Sequence, residues 1–134
     1  MAFSLDAQLA ADTVPIMDYD LCRVLLMKDA NYPWIILVPM VDGISELHQL
    51  APDQWSLFMA ELTRTSSRME AAFKPDKVNV GALGNIVNQL HIHIVCRYTA
   101  DPAWPGPVWG AAPAAPYPDE DLDEWVTGFK RILG

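Results

Sequence analysis

A chain of 134 residues is the length of one compact domain, long enough to bury a core without staples and too short for a second full domain. Nine Lys and Arg against seventeen Asp and Glu give a net charge of -8, which repels polyanions and excludes non-specific binding to DNA or RNA. Cys22 and Cys96 are the only cysteines and form no CxxC or Cys/His cluster, which argues against a zinc site and a disulfide framework and suits the core thiols of a reduced cytoplasmic protein.

After a polar start, Thr13 to Met17 is expected as a short edge strand interrupted by Pro15, and Leu21 to Met27 as the first strong strand. Lys28 to Pro33 supplies turn residues before the apolar run Trp34 to Val38, so the two runs predict an antiparallel hairpin with a longer loop. Trp34 to Val41 is the longest apolar run, less than half of what crosses a bilayer, and no basic residue followed by an apolar stretch stands at the N-terminus. The expectation is a protein neither membrane-spanning nor secreted by the usual route. Pro52, Asp53 and Gln54 open a long helix, Trp55, Phe58, Met59, Leu62, Met69 and Phe73 recur on its apolar face, and Pro75 stops it.

Val78-Asn79-Val80 and a Gly/Asn-rich connection from Gly81 to Asn88 lead into Gln89 to Cys96, where polar and apolar residues alternate strictly. That is the period of a strand with one face in the core: Leu90, Ile92, Ile94 and Cys96 inward, Gln89, His91 and His93 together on the opposite face. Asp101 to Pro118 holds six prolines in eighteen residues and is expected as an irregular covering loop. Its Trp104 and Trp109 could lid a cleft, cover a partner subunit or pack on their own core. Asp119 to Glu124 opens a terminal helix closed by Lys130 and Arg131, with Leu122, Trp125, Val126, Phe129, Ile132 and Leu133 on one face.

His91 and His93 are two of only three histidines. Alone, HxH on a strand suits a metal pair, two surface histidines or a catalytic row; a metal pair lacks further ligands, since His48 is remote and expected on a surface turn. A nucleotide remains possible despite the charge, because backbone amides and one or two side chains can hold its phosphates in a cleft.

The stretch Gln89-Leu90-His91-Ile92-His93-Ile94-Val95 resembles the histidine triad (HIT) motif, His-hydrophobic-His-hydrophobic-His-hydrophobic-hydrophobic on a strand, at every place except the first, where glutamine replaces histidine. The strand ending in Pro39, the long helix after it, and Asn79 ahead of a Gly-containing turn extend the resemblance over most of the chain. It implies an α+β HIT-like fold over 1–134 as a single domain: an antiparallel meander sheet of about five strands with one long central helix and a C-terminal helix. It further implies hydrolysis or transfer at the α-phosphorus of a purine nucleotide conjugate, such as a phosphoramidate, adenylate or dinucleoside polyphosphate, in a homodimer without cofactor or metal. By the same resemblance His91 is the nucleophile of a nucleotidyl-histidine intermediate, a role a neutral imidazole fills once its second nitrogen is fixed by a hydrogen bond. His93 then contacts a phosphate oxygen or orients the site. Gln89 donates to phosphate or leaving group but transfers no proton, which favours good leaving groups. Asn79, Asn85 and the turn at Gly84 approach the phosphate, and Trp34 stands where many members have a further histidine. Leu26 occupies the place of a ribose-binding acid, with Asp29 a shifted candidate. Arg97 offsets phosphate charge or is an exposed strand end. Two other classes stay open: a nucleotide-binding module that has lost turnover, and a metal-dependent hydrolase using His91 and His93.

Overall fold

A computed structural model describes residues 2–134. Strands β1 (Thr13–Asp18), β2 (Cys22–Met27) and β3 (Trp34–Pro39) form two successive antiparallel pairings, with Leu25 opposite Ile36 and Leu26 opposite Ile35 in the second. The register shifts between Pro15 and Met17, as expected where a residue without an N–H sits in an outer strand. Helix α2 (Pro52–Phe73) carries the chain across to β4 (Lys77–Ala82) at the far edge, and β5 (Ile92–Arg97) returns between β3 and β4. The five-stranded antiparallel order is therefore β1-β2-β3-β5-β4. A short helix α1 (Ala7–Asp12), absent from the sequence expectation, precedes β1, and α3 (Asp119–Leu133) closes the chain. No helix among the described residues is long and apolar enough to cross a membrane.

Pro52 and Asp53 occupy the first turn of α2, and Lys74, with φ of 48°, ends it ahead of Pro75. The buried face is Phe58, Glu61, Thr65 and Met69; Trp55 and Met59, expected on that face, are exposed. Glu61 explains the rotation. Both its carboxylate oxygens accept backbone N–H groups, from Leu21 and Cys22 at 2.8 Å each, so this polar residue must face the sheet and Met59 turns toward solvent.

Alternating residues of the sheet feed two cores. Val24, Leu26, Ile35, Leu37, Ile92 and Ile94 pack with Phe58 and Met69 of α2 and Phe129 and Leu133 of α3. Leu25, Trp34, Ile36, Val38 and Val95 point the other way and are covered by Leu9 of α1, Tyr32 and Val108. All six residues of β3 and of β5 are consequently buried. The single wet face read from the alternation in Gln89 to Cys96 is corrected here: the N-terminal segment and the proline-rich loop cover it. Burial also pushes the Cys22 thiol well up, and that of Cys96 to about 12, so both stay protonated and inert. His48 lies exposed on the 3-10 turn Leu47–Gln49.

Candidate active site

His93 sits in β5, an inner strand, opposite Ile36 of β3 and Gly81 of β4. The missing side chain at Gly81 leaves room for Trp109: a Cβ there would lie 3.1 Å from its Cη2. The imidazole of His93 is bracketed by two indoles, its centroid 5.7 Å from that of Trp34 and 5.2 Å from that of Trp109. The Trp34 Nε1–H donates to His93 Nδ1 at 3.0 Å. An indole nitrogen only donates, so Nδ1 must be the unprotonated nitrogen and Nε2 carries the hydrogen. Burial first, and the neighbouring His91 second, push the His93 pKa down to about 3, which keeps the ring a neutral donor.

His91 is the complement. Its Nδ1 lies 2.7 Å from the carbonyl oxygen of Gln89, a group that only accepts, so Nδ1 carries the hydrogen and Nε2 the lone pair. The ring centroids of His91 and His93 are 5.0 Å apart. His91, immediately before β5, and His93, within it, thus present side by side a nitrogen lone pair and a nitrogen-bound hydrogen, each tautomer set by a partner that can play only one role.

Both rings line a cleft of about 610 Å³. Trp34, Gly84 and Asn85 line it too, as do Asp29, Val108 and Trp109; Gly84, with φ of 110°, takes the backbone conformation its turn requires without a side-chain penalty. Helix α1 contributes Gln8, Leu9 and Asp12. Among the described lining residues none is Lys or Arg. No group of three His, Cys, Asp or Glu side chains among the described residues is arranged to hold a metal ion.

Several expected site residues lie elsewhere. Gln89 precedes β5, and its side chain is engaged by the N-terminal segment, accepting from the Asp6 N–H and donating to the Ser4 carbonyl, both at 2.9 Å; it is not among the residues that line the cleft. Arg97 is neither beside the cleft nor exposed. Only 2 % accessible, it donates to Asp101 (2.8 and 3.0 Å), to the Gly106 carbonyl (2.8 Å) and to Asn79 Oδ1 (2.7 Å), so Asn79 also belongs to this network and not to the cleft lining. Trp104 lies over Arg97, 5.9 Å from guanidinium carbon to ring centroid, while Trp109 alone of the loop indoles reaches the cleft. Leu26 is core. The contribution of α1 escaped the sequence reading because six residues are too few for a periodic signal; the available sign was Asp6, whose carboxylate caps the helix by accepting from the Gln8 and Leu9 N–H groups.

Comparison with known proteins bears on the strand order and the histidine row together. The profile of the HIT domain matches residues 8–100. No match to a curated protein was found. Among solved structures, a histidine triad protein from Bradyrhizobium japonicum superposes with a TM-score of 0.95 at 40% identity, covering 100% of both chains. One from Marinobacter aquaeolei VT8 does so with a TM-score of 0.95 at 45% identity, over 99% of this chain and 97% of the other. A third, from Sinorhizobium meliloti 1021, has a TM-score of 0.93 at 40% identity, over 98% and 97%. With the motif profile spanning the sheet and α2, and with whole-chain likeness at this identity, the chain belongs to the HIT domain family, within the superfamily of nucleotide hydrolases and transferases.

Proposed function

We propose that the cleft binds a purine nucleotide conjugate and that His91 cleaves it at the α-phosphorus. The observation that carries this reading is the pair of opposed tautomers: Nε2 of His91 holds a lone pair because Nδ1 donates to the Gln89 carbonyl, and Nε2 of the neighbouring His93 holds a hydrogen because Trp34 donates to its Nδ1. The His91 lone pair forms the N–P bond, the bond from phosphorus to the leaving group breaks, and its electron pair departs with that group. The Nε2–H of His93 donates to a non-bridging oxygen as negative charge builds there, a neutral donor in a largely buried site. Water then attacks phosphorus and gives up a proton to bulk solvent, the N–P bond breaks, and the lone pair returns to Nε2. With the Gln89 side chain held by the N-terminal segment, no side chain at the first motif position protonates the leaving group, so phosphoramidates that depart already protonated, and adenylates, are favoured over poor leaving groups. Asn85 supplies an amide to the phosphate or leaving group, and Asp29, buried beside the cleft, remains the candidate for a ribose hydroxyl. Asn79 and Arg97 act indirectly, by setting the loop that carries Trp109.

The experiment is incubation with adenosine and guanosine phosphoramidates followed by intact mass measurement. A nucleotidyl adduct that disappears in His91→Ala supports the mechanism; binding of nucleotide with neither adduct nor turnover across the panel supports instead a module that has lost catalysis. Loss of turnover with chelator, restored by metal, would favour a metal-dependent hydrolase. Residues 1–134 act in this reading as one HIT-like domain of a cytoplasmic homodimer. The outer strand β4 offers an unpaired edge beside exposed Val80, Leu83 and Ile86, the last 94% accessible, and such apolar exposure suits a partner subunit. Sedimentation velocity of the native protein and of Ile86→Lys tests it: a dimer that becomes monomer is expected.

A further inference from the structure

We propose that Gln89 is a positioning residue that couples the N-terminal segment to the orientation of His91, so that the cleft wall and the nucleophile are set by one latch. The proposal rests on reading His91 as the nucleophile, but its geometry stands apart from any substrate. Gln89 lies between two attachments. Its side chain bonds twice to the segment more than eighty residues earlier in sequence, accepting from Asp6 N–H and donating to Ser4 O. Its carbonyl oxygen, on the same residue, accepts from Nδ1–H of His91 at 2.7 Å.

What the latch holds is functional surface. Directly after the latched residues, the Asp6 carboxylate caps α1, and α1 places Gln8, Leu9 and Asp12 against the cleft. The far end of α1 is tied down separately, by Leu9 buried in the second core, by Thr13 Oγ1–H donating to the Leu9 carbonyl at 2.6 Å, and by Lys28 N–H donating to the Asp12 carbonyl. The segment is therefore fixed at its C-terminal end whatever residue 89 does, and it is the entry to α1 that depends on Gln89. Residue 89 itself lies outside β5, and the peptide that carries its carbonyl is tied by its own N–H, Leu90 N–H to the Ile44 carbonyl at 3.1 Å. The residue's other anchors are the two bonds of its side chain. Releasing the side chain leaves the carbonyl that fixes the His91 tautomer on a peptide held at the Leu90 end alone, free to tilt about that bond. At the first motif position, glutamine is here turned from the leaving group to the cleft wall.

Nitrogen-15 spectra of the imidazoles and hydrogen exchange of the Gln8 to Asp12 amides test this without substrate. Gln89→Ala removes both side-chain bonds, and since neutral hydrogen bonds contribute about 1 kcal/mol each, exchange in Gln8 to Asp12 should accelerate roughly 10- to 30-fold. The Nδ1–H tautomer of His91 should lose its dominance while that of His93 does not change. Asp6→Pro acts from the other side: the φ of -53° at Asp6 suits proline, which deletes the N–H given to Gln89 as well as the cap, whereas Asp6→Ala deletes the cap alone. The tautomer shift is expected in Asp6→Pro and not in Asp6→Ala. Faster exchange with an unchanged His91 spectrum in both Gln89→Ala and Asp6→Pro would overturn the coupling, and unchanged exchange would overturn the latch. Failure of the proposed chemistry is a separate result, the absence of a nucleotidyl adduct in the unaltered protein.

Discussion

Replacing Asp101 with alanine should destabilise the protein far more than the loss of a surface ion pair. The side chains of Arg97 and Asp101 are 2% and 3% accessible. The Asp101 carboxylate accepts not only from Arg97 Nε and Nη2 but from the backbone N–H groups of Tyr98, Ala103 and Trp104. Removing one partner of a buried pair costs about 3–5 kcal/mol, because the other charge is left buried; Arg97 keeps Asn79 Oδ1 and the Gly106 carbonyl, which puts the expectation near the lower figure. For a chain of this size that corresponds to a fall in Tm of roughly 10–15 °C. Urea melts at pH 7 and thermal scans measure it. A second readout follows from the loop: Asp101 organises the turn ahead of Trp109, so KM for a phosphoramidate should rise in Asp101→Ala. The pH dependence has a definite sign. The Arg97 hydrogen bond, foremost, holds the Asp101 carboxyl well below the usual range, so below that range the unfolded chain binds a proton the folded chain does not, and this stabilisation is present near neutrality and lost on acidification. A loss below about 1 kcal/mol, typical of exposed pairs, would refute the reasoning. So would an Arg97→Met variant with unchanged Tm and impaired phosphate binding, which would make Arg97 a ligand contact.

His91→Ala should abolish adduct formation while shifting Tm by only a few degrees, because the ring lines the cleft and makes one side-chain bond, to the Gln89 carbonyl; wild-type turnover would remove His91 from the mechanism. Trp34→Phe keeps an aromatic ring at the site but deletes the donor to His93 Nδ1, so kcat should fall about tenfold or more, the scale of roughly 1.4 kcal/mol, with the Nδ1–H tautomer of His93 appearing in nitrogen-15 spectra; an unchanged kcat would show that the tautomer is fixed otherwise. His93, held neutral with a pKa of about 3, binds its proton more readily in the unfolded chain, so stability should decline as pH falls from about 6.5 toward 3, and His93→Asn should flatten that part of the curve in urea melts.

The strands were legible where a side-chain pattern had one dominant cause. Thr13 to Met17, Leu21 to Met27 and Trp34 to Val38 appear within a residue of their expected ends, and Pro52 and Pro75 bound α2 as punctuation predicts. Glu61 was not legible, because its place on the buried face depends on two unpaired N–H groups at Leu21 and Cys22, forty residues away. Nor was the burial of Arg97, which needs Asp101, Asn79 and Gly106 assembled around it before it becomes favourable. In the site, the histidine row carries its spacing in the chain, and His91 and His93 meet as the pattern implied. The Gln89 side chain bonds to residues more than eighty positions earlier, and no local pattern encodes that meeting. Trp34 and Trp109 were marked by type and position; which of the loop indoles would reach the cleft was decided by Gly81, whose bare backbone receives Trp109 and leaves Trp104 to Arg97.

The cleft has one consequence in solution that follows from its lining. Among the described residues none that borders it is cationic, while Asp12 and Asp29 do and the whole chain carries -8. An anionic ligand must be held by uncharged N–H groups after approaching a repelling surface. Added salt therefore does not compete away an ion pair at the phosphate; it screens the repulsion met on approach. The association rate of a nucleotide should rise with ionic strength while its dissociation rate stays nearly flat, the opposite of the behaviour of a site built from lysines and arginines.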